Sequence, residues 1–290
     1  MYTQMLVPLD GSETAETALP YARALAENLI IPVKLLGVID ISHYVSGDRA
    51  RYLGTLIDAA LLRNQEYLKG VAKTFPGANV EWTVEGGAPA EVIIAKAAGN
   101  QGTLLVMATH GRSGLNRFLL GSIAEKVLRA TASPLLLVRA TQGAQSAGVA
   151  TLQSIIVPLD GSKLAESALS VAVAVAKKLD LEVVLFRAHH VPYNPTANFG
   201  EVIERVRDET DKYLENAAAE VKKLGVSKVR YLTREGIASD EIIALGRETA
   251  HTLIVMCSHG RTGMERWVLG SVAETVARHA DAPVLVVRAE

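Results

Sequence analysis

Hydrophobic positions along this chain change their spacing in a regular order. The run QMLVPL, residues 4–9, is short and apolar and stops at Asp10-Gly11-Ser12, a turn followed by a helix cap. Beyond it Ala15, Ala18, Leu19, Ala22, Leu25, Ala26 and Leu29 recur at steps of three and four, which places them on one face of a helix. Glu13 and Glu16 near its start complement the helix dipole. VKLLGVI then predicts a second strand, residues 50–74 contain a long helix, and NVEWTVE predicts a third strand. Pro89 and Glu91 open a helix running through Ile94 and Ala97. TLLVMAT, SIAEKVLRA and PLLLVRA read as the fourth strand, a last helix and the fifth strand.

The same pattern is written twice. MLVPLDGSETAETAL from Met5 is matched by IIVPLDGSKLAESAL from Ile155, and HGRSGLNRFLLGSIAEKVLRA from His110 by HGRTGMERWVLGSVAETVARH from His259. Pro8 and Pro158 stand 150 positions apart and Gly121 and Gly270 stand 149 apart, so one net residue separates the copies between these markers. From His110 to Ala140, 17 of 31 positions are identical in the second copy. Irregular glycine spacing kept over such a length points to duplication. Residues 141–150, TQGAQSAGVA, carry no hydrophobic periodicity and read as a short flexible linker between domains at 1–140 and 151–290. Strands alternating with helices imply right-handed crossovers and, in each domain, a mostly parallel sheet covered on both faces, an α/β fold. Ligands of such sheets bind beyond the carboxyl ends of the strands, where the strand order reverses.

Bulk properties narrow the partners. The chain has 290 residues, with Lys+Arg 30 against Asp+Glu 31 and a pI near 6.7, so no global field recommends nucleic acid or anionic lipid. The start, MYTQMLVPLD, does not read as a secretory signal, and the apolar runs are strand-sized, short of the ~20 residues of a spanning helix. One cysteine, Cys257, excludes an internal disulfide framework. A cytoplasmic protein without a membrane segment is expected.

Two elements carry candidate chemistry. Gly111, Gly121 and Ser122 stand with nine residues between the glycines, and Gly260, Gly270 and Ser271 repeat them. The second glycine of each pair opens a helix, whose unpaired N–H groups and partial positive charge attract anions. Glycine lets a phosphate oxygen approach the backbone, and Ser122 can present both N–H and hydroxyl. Arg112, Arg117, Arg261 and Arg266 could add charge at a phosphate tail. The alternative is a simple turn and cap, which the duplicated spacing disfavours. The second element is Val7-Pro8-Leu9-Asp10, repeated as Val157-Pro158-Leu159-Asp160. Proline removes an N–H and ends strand pairing. The carboxylate can accept from an adenine amino group or a ribose hydroxyl, or cap the first helix; these roles are compatible.

With its V-P-x-D strand ends, G-x9-G-S loops and closing P-x-L-x-V-R strands, the chain resembles a tandem universal stress protein of the nucleotide-binding branch, over nearly all of its length. The resemblance implies, for each half, a five-stranded parallel sheet with helices on both faces, Rossmann-like and similar to the adenine nucleotide alpha hydrolases, with ATP at the strand ends. It implies that Pro8 and Asp10 flank the base, that the backbone of Val38 reads the adenine edge and that Met107 lies beneath the ribose. Gly111, Gly121, Ser122 and the N–H of Ile123 would hold the phosphates. The matching positions are Pro158, Asp160, Ala188, Met256, Gly260, Gly270, Ser271 and Val272. The family's motif has a further glycine three residues before the first loop glycine, where this chain has Ala108 and Cys257. The segments after the second strand, DISHYVSGDRAR and HHVPYNPTANFG, differ between the halves and suggest different lids.

Other chemistries lack their residues. There is no G-x4-G-K-[ST] and no G-x-G-x-x-G after the first strand. Gly111-Arg112-Ser113-Gly114 is not a nucleophile elbow, and the copy has Thr262 in place of Ser113. His110 and His259 repeat without a repeated acid or nucleophile, so a backbone role in the loop is expected. His189-His190 lacks zinc-site spacing, and magnesium would arrive with the triphosphate. Cys257 reads as a small buried filler. The first expectation is therefore an ATP-binding stress-response module with at most slow hydrolysis, signalling to an unknown protein partner. The second is an interaction module free of nucleotide, in which the apolar terminal strands pair the two halves as an internal dimer. A homodimer of tandem chains is expected in either case.

Overall fold

The computed structural model describes residues 2–40, 53–110, 120–139, 146–189, 199–258 and 269–288. The chain divides into two compact units, Met1–Ala150 and Thr151–Glu290.

The first unit contains β1 (Gln4–Leu9), α1 (Glu13–Glu16), α2 (Leu19–Leu29), β2 (Val33–Ile39), α3 (Leu53–Ala72), β3 (Val80–Gly86), α4 (Pro89–Ala98), β4 (Thr103–Ala108), α5 (Ser122–Ala130) and β5 (Leu135–Val138). Its five strands are parallel, in the order β3-β2-β1-β4-β5. The second unit repeats this with β6 (Ser154–Pro158), α6 (Lys163–Leu179), β7 (Glu182–His189), α7 (Phe199–Lys223), β8 (Val229–Glu235), α8 (Ala238–Glu248), β9 (Thr252–Cys257), α9 (Ser271–His279) and β10 (Val284–Val287). Its order is β8-β7-β6-β9-β10, again parallel. The expected α/β class, with five parallel strands in each unit, is the observed one.

Burial follows strand position. Every residue of β4, β5, β9 and β10 is buried, as apolar strands covered on both faces require. The outer strands β3 and β8 have no fully buried residue and expose Trp82 and Tyr231, with cross-strand ion pairs Lys34–Glu81 and Arg230–Glu182 along their faces.

The helix read from Ala15 to Leu29 is broken in the first unit and continuous in the second. All seven of its apolar positions are buried, yet α1 ends at Glu16 and α2 begins at Leu19. Pro20 explains the break. It has no N–H to give Glu16, and its ring crowds that carbonyl, so the chain tightens there into i→i+3 turns, Thr17 N–H to Thr14 O and Ala18 N–H to Ala15 O, both 3.3 Å. The second copy has Ser170 at this place, and α6 runs unbroken.

The latter part of the linker is held rather than loose. Arg23 is buried against the Phe75 ring, and its guanidinium donates to Ser146 O at 2.7 Å, Gly148 O at 2.8 Å and the Thr74 hydroxyl at 2.7 Å. Ala150 N–H donates to Pro20 O at 3.0 Å. Residues 146–150 thus lie on α2.

Candidate functional site

Pro8 shapes the crevice of the first unit. Met5 N–H donates to Pro32 O ahead of β2, so by alternation Leu6 and Pro8 turn their amide positions toward β4. Proline has nothing to donate, and β1 pairs with β4 only from Gln4 to Leu6 while it stays with β2 through Leu9. On the other side β4 follows β5 through Ala108, and Thr109 N–H donates to Val138 O at 2.8 Å. The two central strands therefore part at their carboxyl ends, where the strand order reverses. Past Leu9, alternation along β2 directs the carbonyl of Val38 toward the β1 side.

Asp10 follows directly. One of its oxygens, Oδ1, accepts from Ser12 N–H at 3.0 Å and from the Ser12 hydroxyl at 2.6 Å, while Ser12 Oγ accepts from Ala15 N–H at 3.1 Å as the cap of α1. Gly11 between them has φ +80°, the left-handed region that glycine enters without strain. The cap is thus Ser12, and Asp10 braces it.

Across the crevice stands the start of α5. Its N-cap is Gly121, which has no side chain of its own to offer the amides of Ser122, Ile123 and Ala124 that begin the helix. Gly121 N–H donates to Thr109 O at 2.8 Å, and a Cβ built on Gly121 would lie 3.0 Å from that same oxygen. A side chain there would press on the joint between β4 and α5, although φ is an ordinary −60°.

Pro8, Asp10, Val38, Met107, Ala108, Gly121, Ser122 and Ile123 all line one cleft of about 630 Å³. Its walls add residues that sequence reasoning missed: Ala60, Arg63, Asn64 and Tyr67 from α3, and Ile93 from α4. The Tyr67 hydroxyl donates to Glu16 Oε1 at 2.9 Å, tying α3 to α1. Only the helical spacing of Asn64 and Tyr67 hinted at a shared face. His110 also lines the cleft: its Nδ1 lies 3.0 Å from Thr109 Oγ1, and its Nε2 is buried without a partner. Its side chain therefore takes part in the cleft wall, beyond the backbone role expected for it. Gly111, Arg112 and Arg117 lie outside the described residues.

The second unit repeats the plan. Pro158 ends the pairing of β6 with β9 after Ile156, Asp160 accepts from Ser162 N–H at 2.9 Å, and Gly270, the N-cap of α9, donates to Ser258 O at 2.8 Å. Gly270 also leaves Ser271 and Val272 without a side-chain cap. Ala188 and Met256 close β7 and β9, and Cys257 is 5% exposed at the end of β9. Beside it, burial lowers the Arg288 pKa below the usual guanidinium range, which Cys257 partly opposes. Gly260, His259, Arg261, Arg266 and His190 lie outside the described residues. Among the described residues no group of three or more His, Cys, Asp or Glu could hold a metal ion, and no helix is long and apolar enough to cross a membrane.

A profile described as the universal stress protein family matches residues 1–139 and again 151–288. The chain belongs to the universal stress protein family. Universal stress protein MJ0531 of Methanocaldococcus jannaschii is 35% identical over 140 residues, 47% of this chain and 82% of that protein. A universal stress protein of Mycolicibacterium smegmatis is 25% identical over 293 residues, covering 98% of this chain and 96% of its own length, so that relative has a comparable overall length. The crystal structure of a universal stress protein from Archaeoglobus fulgidus superposes with a TM-score of 0.72 at 24% identity over 99% of both chains, which shows the shared fold. Among universal stress proteins, this chain is therefore a tandem one, with both family matches ending just past a closing strand.

Proposed function

We propose that the cleft of the first unit binds an adenine nucleotide, ATP with its magnesium, and that the protein acts as a nucleotide-responsive stress module with at most slow hydrolysis. The observation that carries this reading is the meeting of Asp10, the Val38 carbonyl and the uncapped α5 amides around one cleft. At about 630 Å³ the cleft falls within the range of small-ligand sites, ~300–1,000 Å³. Its two ends differ in chemistry. The carboxylate and carbonyl offer acceptors to the amino group and hydroxyls of a nucleoside, while the helix start offers donors and positive potential to phosphates. Family membership supports the same reading. Magnesium would be held through the triphosphate with most of its waters kept. Domains at 1–140 and 151–290, a homodimer of tandem chains and a protein partner reading the bound state belong to the same proposal.

The test is to denature the purified protein by heat, analyse the supernatant for nucleotide by mass spectrometry, and titrate the protein with Mg-ATP in a calorimeter. Released ATP or saturable heat is expected. No nucleotide and no heat at millimolar Mg-ATP overturns the proposal in favour of an interaction module.

A further inference from the structure

One difference between the units lies where the second strand meets the long helix. In the first unit β2 carries Gly37, and a Cβ built there would lie 3.3 Å from Leu68 Cδ1 and 3.5 Å from Asn64 Oδ1, so α3 packs directly on the strand. Asn64 and Tyr67 form the cleft wall just beyond. The corresponding residue of β7 is Arg187. The walls correspond as well, because the Tyr213 hydroxyl donates to Glu166 Oε1 at 2.9 Å as Tyr67 does to Glu16. In the second unit, however, the Arg187 guanidinium lies over the Tyr213 ring, 5.1 Å from its centroid. The second unit therefore carries a cation in the wall where the first unit has a glycine under its long helix.

Tyr213 senses the charges of both Arg187 and Asp160. Burial, first, and then the hydrogen bond and charge of Glu166 raise the phenol's pKa; Arg187 opposes this and Asp160 adds to it. Asp160 is the counterpart of Asp10, the acceptor offered to a nucleoside in the first unit. A guanidinium has five donors and no acceptor. As part of the wall it brings positive charge and donor groups, a poor match to the amino and hydroxyl donors of a nucleoside.

Resting on the nucleotide reading of the first cleft, the geometry points to Arg187 as the residue that makes the clefts unequal: it excludes the adenine nucleotide from the second unit, leaving one per chain, held by the first. Equilibrium dialysis of the full chain with Mg-ATP measures the stoichiometry, and photolabelling with 8-azido-ATP followed by peptide mapping locates it. One ATP per chain is expected, with label in the first unit, rising to two in Arg187→Gly and staying at one in Arg187→Lys. Circular dichroism checks folding, and Arg187→Ala serves in place of the glycine variant if that variant unfolds. Two ATP per parent chain, label in the second unit, or no gain in a folded variant overturns the assignment of Arg187. No ATP bound by parent or variant overturns the nucleotide reading itself and the assignment with it.

Discussion

The Asp10 carboxylate holds both the N–H and the hydroxyl of Ser12, at 3.0 and 2.6 Å, and through Ser12 it braces the first helix at the mouth of the cleft. The same side chain therefore serves the fold and, on the proposed reading, faces the nucleoside. Asp10→Ala removes the brace and is expected to cost about 1–2 kcal/mol, the scale of a lost cap and its hydrogen bonds. Asp10→Asn keeps an acceptor for Ser12 and is expected to recover at least half of that loss, while ATP affinity falls about tenfold or more in both. Urea denaturation and calorimetry on the two variants separate the roles; equal ATP affinity in all three proteins would remove Asp10 from the site.

The start of α5 allows a sharper test of the anion site. Ser122 is the first helical residue, where proline is well accepted, and Gly121 at ψ 145° suits a following proline. Ser122→Pro deletes one amide donor and the hydroxyl and is expected to weaken ATP binding by about tenfold with stability within about 0.5 kcal/mol of the parent. Ser122→Ala keeps the amide and reports on the hydroxyl alone. Gly121→Ala, by contrast, is expected to destabilise by about 1–3 kcal/mol, because its Cβ would press on Thr109 O.

Ile30 ends α2 in the left-handed region, φ 55° and ψ 51°, and is 83% exposed. A β-branched residue there bears steric strain of roughly 1–2 kcal/mol and buries little in return. The second unit places Asp180 at the matching end, a residue that tolerates this conformation better. Ile30→Gly is expected to stabilise by about 1 kcal/mol, a rise in Tm of roughly 2–4 °C by scanning calorimetry if the units melt together.

Alkaline pH is expected to destabilise the fold. Burial raises the pKa of Tyr2, Tyr21 and Tyr213, the last also through Glu166. A raised folded-state pKa means that the folded protein holds the phenolic proton more tightly. Its contribution is complete below the ordinary phenol pKa of about 10 and is lost as pH rises from there through the folded-state values. These three tyrosines are expected to ionise late or only on unfolding, as followed by tyrosinate absorbance alongside urea midpoints from pH 8 to 11. Midpoints that stay level across pH 10 to 11 would contradict this.

Much of this was legible in the sequence because parallel strands covered on both faces leave unbroken apolar runs, and because the duplication repeats the turns at Asp10-Gly11-Ser12 and Gly121-Ser122. Pro8 and Pro158 marked where β1 and β6 leave their neighbours, since a missing N–H acts locally. Pro20 carried an equally local signal for the break between α1 and α2, but the apolar spacing around it stayed helical and masked it. Gly121 was legible as a glycine but not in its cause, because Thr109 O reaches it only across the fold. The contact of Arg187 with Tyr213 and the placing of Asn64 and Tyr67 depend on how a long helix lies against a strand, and no spacing within either segment encodes that.

Arg23 carries a practical consequence. Its guanidinium has two of its acceptors, Ser146 O and Gly148 O, beyond the last strand of its own unit, so truncation after residue 139 would strand a desolvated cation in the interior. Dissecting this protein into halves therefore requires the cut after Ala150, which keeps that plug of chain with the N-terminal half; a division made at the family-profile border would report a weakness of the cut and not of the fold.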